Sequence, residues 1–369
     1  MSKPYNQVQA TLAIGKATIR AIFRSPQSVF FSLFFPVVLI VIFGSLGGGG
    51  GISLDVAFDA KSDTTNGIYQ IINHSPVFNV IHADQSDIQD RLKKGRITAL
   101  IDIRQAAAKD GASPSFDLHL KTTSASQKDL PVLNTILRDV ISTINSRQNP
   151  STNSYATISQ EEVPGRIYRM IDFYLPGMLG FSLIGSAIFG VSFLFFSLRE
   201  TLVLKRMFAS PVNKTSIVLG DGIGRILFNL CTATALILFG KFFYHFTLSD
   251  GILTFIEMMV LCTLALLVFM GFGYTISSIA KNQNVIPIYA NLFMFPQYLL
   301  SGTFFPKSAL PESVQWLINI LPLTALNDAL RKVSFEGAHL IDCGRQIGIL
   351  VVWGIVVYTV AIKVFRWEQ

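Results

Sequence analysis

Charge is scarce in this chain. Of its 369 residues only 14% are charged and half are hydrophobic, with a mean hydropathy of +0.48. Soluble proteins carry roughly 25% charged residues, so the shortage excludes an ordinary soluble globule and predicts a membrane protein with a sizeable polar portion. Cysteine is nearly absent: Cys231 and Cys262 fall inside apolar runs and Cys343 near one, with no disulfide framework or metal spacing. Among the five histidines, His74, His82 and His119 lack the i, i+4 ligand spacing, which argues against a metal site. Spacing supports no Ser-His-Asp arrangement and no catalytic cluster. A phosphate-binding loop is missing as well. That motif needs Gly, four residues, then Gly-Lys-Ser/Thr, so that backbone amides cradle phosphates. Gly15-Lys16 has Ala10 and Ala17 at the other positions, and Gly240-Lys241 has Ala235 and Phe242. The chain is therefore read as no enzyme, with no cofactor of its own; any ATP and its magnesium would sit on a partner.

What the chain does have is long apolar runs. They lie near residues 29–46, 174–197, 217–240, 252–280, 285–303 and 346–365, and each approaches the roughly 20 residues needed to span a bilayer. The first is short and contains Pro36, an expected kink. Before it stand Lys3, Lys16, Arg20 and Arg24, and after it five glycines, Gly47 to Gly51, without an Ala-x-Ala cleavage pattern. The expectation is a retained helix rather than a signal peptide. Residues 5–24 wind Val8, Leu12, Ile19, Ile22 and Phe23 onto one side, with Lys16, Arg20 and Arg24 as an adjacent stripe. That predicts an amphipathic helix at the membrane surface with snorkelling basic side chains.

Residues 52–170 are denser in charge, with both signs balanced. Strands are expected near 52–58, 97–103 and 115–122, helices near 84–94 and 130–146, and a polar loop over 145–159. This reads as a small α/β domain. The net charge of +7 does not indicate nucleic acid, because Lys and Arg gather at the ends of apolar runs. Lys3, Lys16, Arg20, Arg24, Arg199, Lys205, Arg206, Lys214, Lys281, Lys363 and Arg366 fall on one side, which puts both termini in the cytoplasm of a plasma (inner) membrane and residues 48–172 outside it.

The stretch before the last run is distinctive. Ser301-Gly302-Thr303-Phe304-Phe305-Pro306, then Pro311, Trp316, Pro322, Asp328 and Arg331, is too broken for a spanning helix and too apolar for an ordinary loop. Such backbone survives at membrane depth only where protein or a watery cavity surrounds it. The expectation is a re-entrant hairpin over 302–340 acting as an outer gate, with Phe293, Phe295, Phe304 and Phe305 along an exit path or simply packing. Gly177, Gly180, Gly185 and Gly190, and Gly220, Gly222 and Gly224, suggest close helix packing. Glu257 is a candidate intramembrane polar site, unless it snorkels or pairs with Lys241. Asn229, Asn291 and Gln297 are expected to bridge helices. Residues 199–212 mix charge with Leu202, Leu204, Met207 and Phe208 before Pro211; the residues alone leave open a partner-binding helix or a lipid-facing one.

That segment resembles the Arg-Glu…Leu-Lys-Arg…Ala-Ser-Pro-Val motif of the ABC transporter type-2 permease family, and the hairpin is similar to the family's signature before the last span. The segment after run one, with Asp55–Asp59 and Leu92-x-x-Gly95…Ala99-Leu100-Ile101, resembles the exporters that carry a large extracytoplasmic domain. The chain departs from the usual pattern at Leu202-Val203, often Gly-Thr, and at Asp221, often Lys. The resemblance implies a dimer with a second copy or paralogue, two separate ATP-binding cassette subunits, and export. It assigns Glu200, Leu204, Lys205, Arg206, Phe208, Ser210 and Pro211 to an ATPase-coupling helix. The resulting architecture is an α-helical polytopic membrane protein. It has an interfacial helix at 1–27, a first span at 28–47, an extracytoplasmic α/β domain at 48–172, and five further spans at 173–369. The expected cargo is amphipathic, a lipid, lipid-linked molecule or drug. The rival is an ATPase-coupled scaffold whose domain at 52–170 binds a cell-envelope protein.

Overall fold

The computed structural model describes residues 6–24, 29–45, 54–75, 77–93, 97–105, 116–123, 130–148, 156–163, 169–203, 211–307 and 310–364. They form two compact units, residues 48–169 and residues 1–47 with 170–369.

The smaller unit is a five-stranded sheet of β1 (Leu54–Phe58), β2 (Phe78–Val80), β3 (Ala99–Gln105), β4 (Phe116–Thr123) and β5 (Ala156–Val163), in the order β2-β1-β3-β4-β5. β1 runs parallel to β2 and β3, β4 antiparallel to β3, and β5 parallel to β4. Alternation along the strands divides the core. Val56, Ile101, Ile103, Leu118 and Leu120 meet Ile68 and Ile72 of α3 (Gly67–His74; α1 and α2 are in the larger unit) and Leu133, Leu137 and Ile141 of α5 (Leu130–Gln148). Ala57, Leu100 and Ile97 meet Ile88 and Leu92 of α4 (Gln85–Lys93). The loop expected over 145–159 is too wide at both ends: α5 continues to Gln148 and β5 begins at Ala156, while 149–155 lie outside the described residues. β5 is an edge strand with Ser159 and Gln160 exposed, so its composition reads as loop.

The larger unit is helical. Among the described residues four helices are long and apolar enough to cross a membrane: α6 (Met170–Glu200), α7 (Lys214–Tyr244), α8 (Ile252–Ile279) and α12 (Gly344–Val364). The other two apolar runs are helical but shorter. A π-helical turn, Phe30–Phe34, leads into α2 (Phe35–Ser45), and α9 (Ile286–Leu300) has 15 residues, about 22 Å of rise. Pro36 has no N–H to give, which frees the Ser32 carbonyl; the Ser182 hydroxyl of α6 donates to it instead. α10 (Glu312–Ile318) and α11 (Pro322–Arg331) follow α9.

Helix α1 (Gln7–Phe23) lies along the first half of α7. Its contact face is centred on small residues, with Ile14 against Gly220 and Phe23 edge-on to Phe228. Gly15 and Thr18 are buried, while Val8, Leu12 and Phe23 are exposed beside Lys16, Arg20 and Arg24. A Cβ on Gly224 would stand 2.7 Å from the Gly15 carbonyl, and one on Gly220 2.7 Å from that of Thr11. Glycine is what lets these backbones touch.

Candidate functional site

The hairpin is held by a buried polar network at one end of α6. The chain leaves α9 at Ser301 and turns at Gly302, whose φ of +71° suits glycine. Ser301 Oγ and Thr303 Oγ1 are 2.8 Å apart, and Asn327 of α11 donates to Thr303 Oγ1 at 3.0 Å. Arg331 donates to the carbonyls of Gly302 and of Phe173 in α6, with its guanidinium 4.0 Å above the Phe173 ring. Gln297 Oε1 accepts from the Leu323 N–H in the first turn of α11, a donor that no intrahelical carbonyl can satisfy. Pro322 is buried and opens α11, where its missing N–H costs nothing. Gly177 completes the contact, since a Cβ there would meet the Thr303 carbonyl at 2.8 Å.

Of the residues expected at the gate, Ser301, Gly302, Phe304, Pro322 and Arg331 converge on this network. Phe304 packs among Phe43 and Phe181, and Phe181 in turn against Tyr298. Asp328 pairs with Lys307 at 2.5 Å. Phe305, Pro306, Pro311 and Trp316 are exposed. Phe293 stacks on Phe272 at 3.7 Å between centroids and Phe295 is exposed, so the four phenylalanines do not form one lining. Gln297 bridges helices; Asn229 instead donates to Arg225 within its own helix, and Asn291 is exposed. Glu257 does not pair with Lys241. It accepts from His339, 3.2 Å away, and from the Leu340 N–H.

At the other end of α6, Arg199 is buried and donates to the carbonyls of Ser277 and Ala280, at 3.0 and 3.1 Å, at the end of α8. A cation suits those terminal carbonyls. Glu200 is exposed as the last residue of α6, and Leu202 turns the chain with φ +56°. Leu204, Lys205, Arg206, Phe208 and Ser210 lie outside the described residues. The chain is described again from exposed Pro211, whose carbonyl accepts from Gln7 Nε2 at 2.6 Å; Gln7 Oε1 also accepts from the Asn213 N–H. Gln7 and Phe173 had no local sequence signal, because their partners lie some 200 and 158 positions away.

Between the ends sits a buried ion pair, Asp221 to Arg225 at 2.8 Å, with Thr18 of α1 donating to Asp221. Arg225 lies against Gly190 of α6, where a Cβ would collide with its guanidinium. Asp221, a departure in sequence, thus ties α1 to α7. Among the described residues no group of three or more His, Cys, Asp or Glu could hold a metal ion.

Comparison with known proteins follows the same lines. The family model for ABC-2 family transporter proteins matches residues 26–363. The chain is 24% identical to ABC transporter G family member 20 of Dictyostelium discoideum over 99% of its own length and 51% of that protein's. It is 28% identical to the probable multidrug ABC transporter permease YbhR of Escherichia coli, over 38% of each chain. It is 20% identical to the linearmycin resistance permease protein LnrN of Bacillus subtilis, over 96% of this chain and 99% of that one. The chain thus spans about half the length of the first relative and 38% of the second.

Proposed function

The chain belongs to the ABC-2 transporter family, and from that membership we propose that it is the membrane subunit of an ATP-driven exporter of amphipathic molecules, powered by separate ATP-binding cassette subunits. One observation carries the reading: α6 is anchored at both ends. Arg199 clamps it to α8 immediately before the 199–212 segment, and Phe173 and Gly177 clamp it to the hairpin. Those anchors are separated by 26 residues from Phe173 to Arg199, about 39 Å of helix. A rigid element gripped at both ends transmits displacement as a shift between two packings rather than absorbing it.

In this mechanism ATP closes the partner subunits around Glu200–Val212, α6 and α8 move together, and the Arg331–Asn327 network opens or seals the hairpin. The subunit works as a dimer with a second copy or paralogue, with its termini cytoplasmic and residues 48–172 extracytoplasmic. The relatives named for multidrug transport and linearmycin resistance favour a lipophilic cargo. Reconstitution with the ATPase in proteoliposomes is expected to give ATP-dependent flux. ATP turnover without flux would favour the scaffold that binds an envelope protein through residues 52–170. Leu204→Asp with Phe208→Asp is expected to abolish co-purification of the ATPase while membrane insertion persists; unaffected co-purification refutes the coupling role.

A further inference from the structure

Helices α1 and α7 run in the same direction. Gln7 bonds the Pro211 carbonyl and the Asn213 N–H, Thr18 bonds Asp221, and the Phe23 ring meets that of Phe228 at 5.3 Å between centroids. This pairing fixes how deep α1 reaches. At the far end of α7, exposed Lys241 is followed by exposed Phe242 and Phe243, as befits a bilayer interface. A hydrocarbon core of about 30 Å takes about 20 helical residues, so counting back from Lys241 puts the opposite boundary at about Asp221. Lys16 therefore stands level with that boundary and Arg20 and Arg24 just inside it, a depth from which long basic side chains snorkel to headgroups. All three are exposed, at i, i+4 and i+8, and Gly15 and Thr18, buried against α7, hold the stripe turned outward. None of the three side chains has a hydrogen bond or ion pair among the described residues. Local sequence supplies no counter-charge, since the first acidic residue is Asp55. Asp221 is buried and already held by Arg225 and Thr18. The large exposed side chains flanking Arg24 in the chain, Phe23 and Phe30, are apolar rings.

We propose that the stripe of Lys16, Arg20 and Arg24 binds the headgroups of lipids with net negative charge in the adjoining leaflet. A row of cations without carboxylate partners is complementary to such a surface, and each cation near an anionic bilayer strengthens binding about fivefold. A zwitterionic headgroup brings its own cation and cancels that gain. An acidic face of a soluble subunit is the other chemical match, but the stripe sits at bilayer depth, beside exposed phenylalanines that acyl chains suit better than a water-soluble surface. Lipid capture requires only that the chain sits in a bilayer, and it stands apart from transport.

The test uses the full-length chain in detergent, titrated with phosphatidylglycerol or phosphatidylcholine and read by native mass spectrometry. The wild type is expected to prefer phosphatidylglycerol. Lys16→Gln with Arg20→Gln and Arg24→Gln should weaken its retention about tenfold or more and leave that of phosphatidylcholine unchanged. Lys281→Gln with Lys363→Gln removes two other exposed cations and should keep the preference, which separates the stripe from a general excess of positive charge. In nanodiscs, replacing phosphatidylcholine by phosphatidylglycerol should raise the unfolding temperature of the wild type, because the lipid binds the folded state. That gain should shrink between about 0.1 and 1 M salt as screening shortens, a readout that needs no variant. Equal phosphatidylglycerol affinity in the wild type and the triple variant, equal loss in the Lys281 and Lys363 variant, or a gain indifferent to salt overturns the proposal. So does a wild type without preference whose triple variant fails to co-purify the ATPase, since the stripe then serves a protein partner. A chain that prefers phosphatidylglycerol yet moves no cargo refutes the transport reading alone.

Discussion

Leu202 holds a backbone conformation that its side chain opposes. At φ +56° an L-residue brings its Cβ against the following carbonyl, which costs roughly 1–2 kcal/mol. The side chain is 56% exposed among the described residues, so burial offsets little of that cost there. Glycine adopts the conformation freely but loses more entropy on folding. Leu202→Gly is therefore expected to stabilise the purified chain by about 0.5–1 kcal/mol, read as a higher unfolding temperature. Leu202→Ala keeps the Cβ and should bring no gain; if alanine matches glycine, the strain is not in the backbone. This position was legible only as a departure from a pattern. The hairpin was more readable, because its prolines and aromatics forbid a spanning helix whatever surrounds them. Arg331 was named from sequence, but its partner Phe173 was not, since nothing local encodes a contact 158 residues away.

Among elements, the glycines show what sequence can and cannot specify. Their spacing announces close approach without saying to what. Gly220 and Gly224 receive α1, Gly180 receives Asn327 and Leu323 of α11, and Gly185 faces Tyr298, whereas Gly222 has only the Met270 methyl at an ordinary 3.8 Å. Gly224→Ala places a methyl against the Gly15 backbone, which cannot swing aside as a side chain can. The variant is expected to lose about 1–3 kcal/mol through overpacking and to loosen α1, seen as faster proteolysis after Arg20 or Arg24. Gly222→Ala should behave as the wild type in the same assay. Equal sensitivity of the two variants would mean that α1 does not dock through glycine. Most of the hidden face of α1 escaped sequence reading for the same reason: hydrophobic periodicity finds Val8 and Leu12, which are exposed, and Phe23, which reaches Phe228, yet the centre of the contact is made by Gly15 and Thr18. β5 was missed because an edge strand need not be apolar, and α9 reads as a full span although the turn at Gly302 leaves it 15 residues.

At the scale of the whole molecule, burial changes how charge asymmetry is counted. The positive-inside rule concerns cations free to stay in the cytoplasm, and several of those visible in sequence are not free. Arg199 is spent on the carbonyls of α8, Arg225 on Asp221, Arg331 on Phe173 and Gly302, and Lys307 on Asp328. What remains exposed near the Arg199 end of the helical unit is Lys16, Arg20, Arg24, Lys281 and Lys363, against Lys241 and Arg345 near the hairpin end. Discarding the committed cations keeps the sign of the asymmetry even with half-buried Lys332 counted at the hairpin end. Helix α7 fits this orientation, because its 31 residues rise about 46 Å, well beyond a hydrocarbon core of about 30 Å. Its first turns therefore extend past the core, where α1 covers them with its basic stripe. The orientation predicts opposite accessibility for two exposed positions, Asp139 on α5 and Thr201 after α6. In a chain with Cys231, Cys262 and Cys343 replaced by alanine, Asp139→Cys should react with a membrane-impermeant maleimide in intact cells. Thr201→Cys should react only after the membrane is opened. If both label alike before lysis, the orientation is wrong, and the hairpin cannot be an outer gate opposite the 199–212 segment.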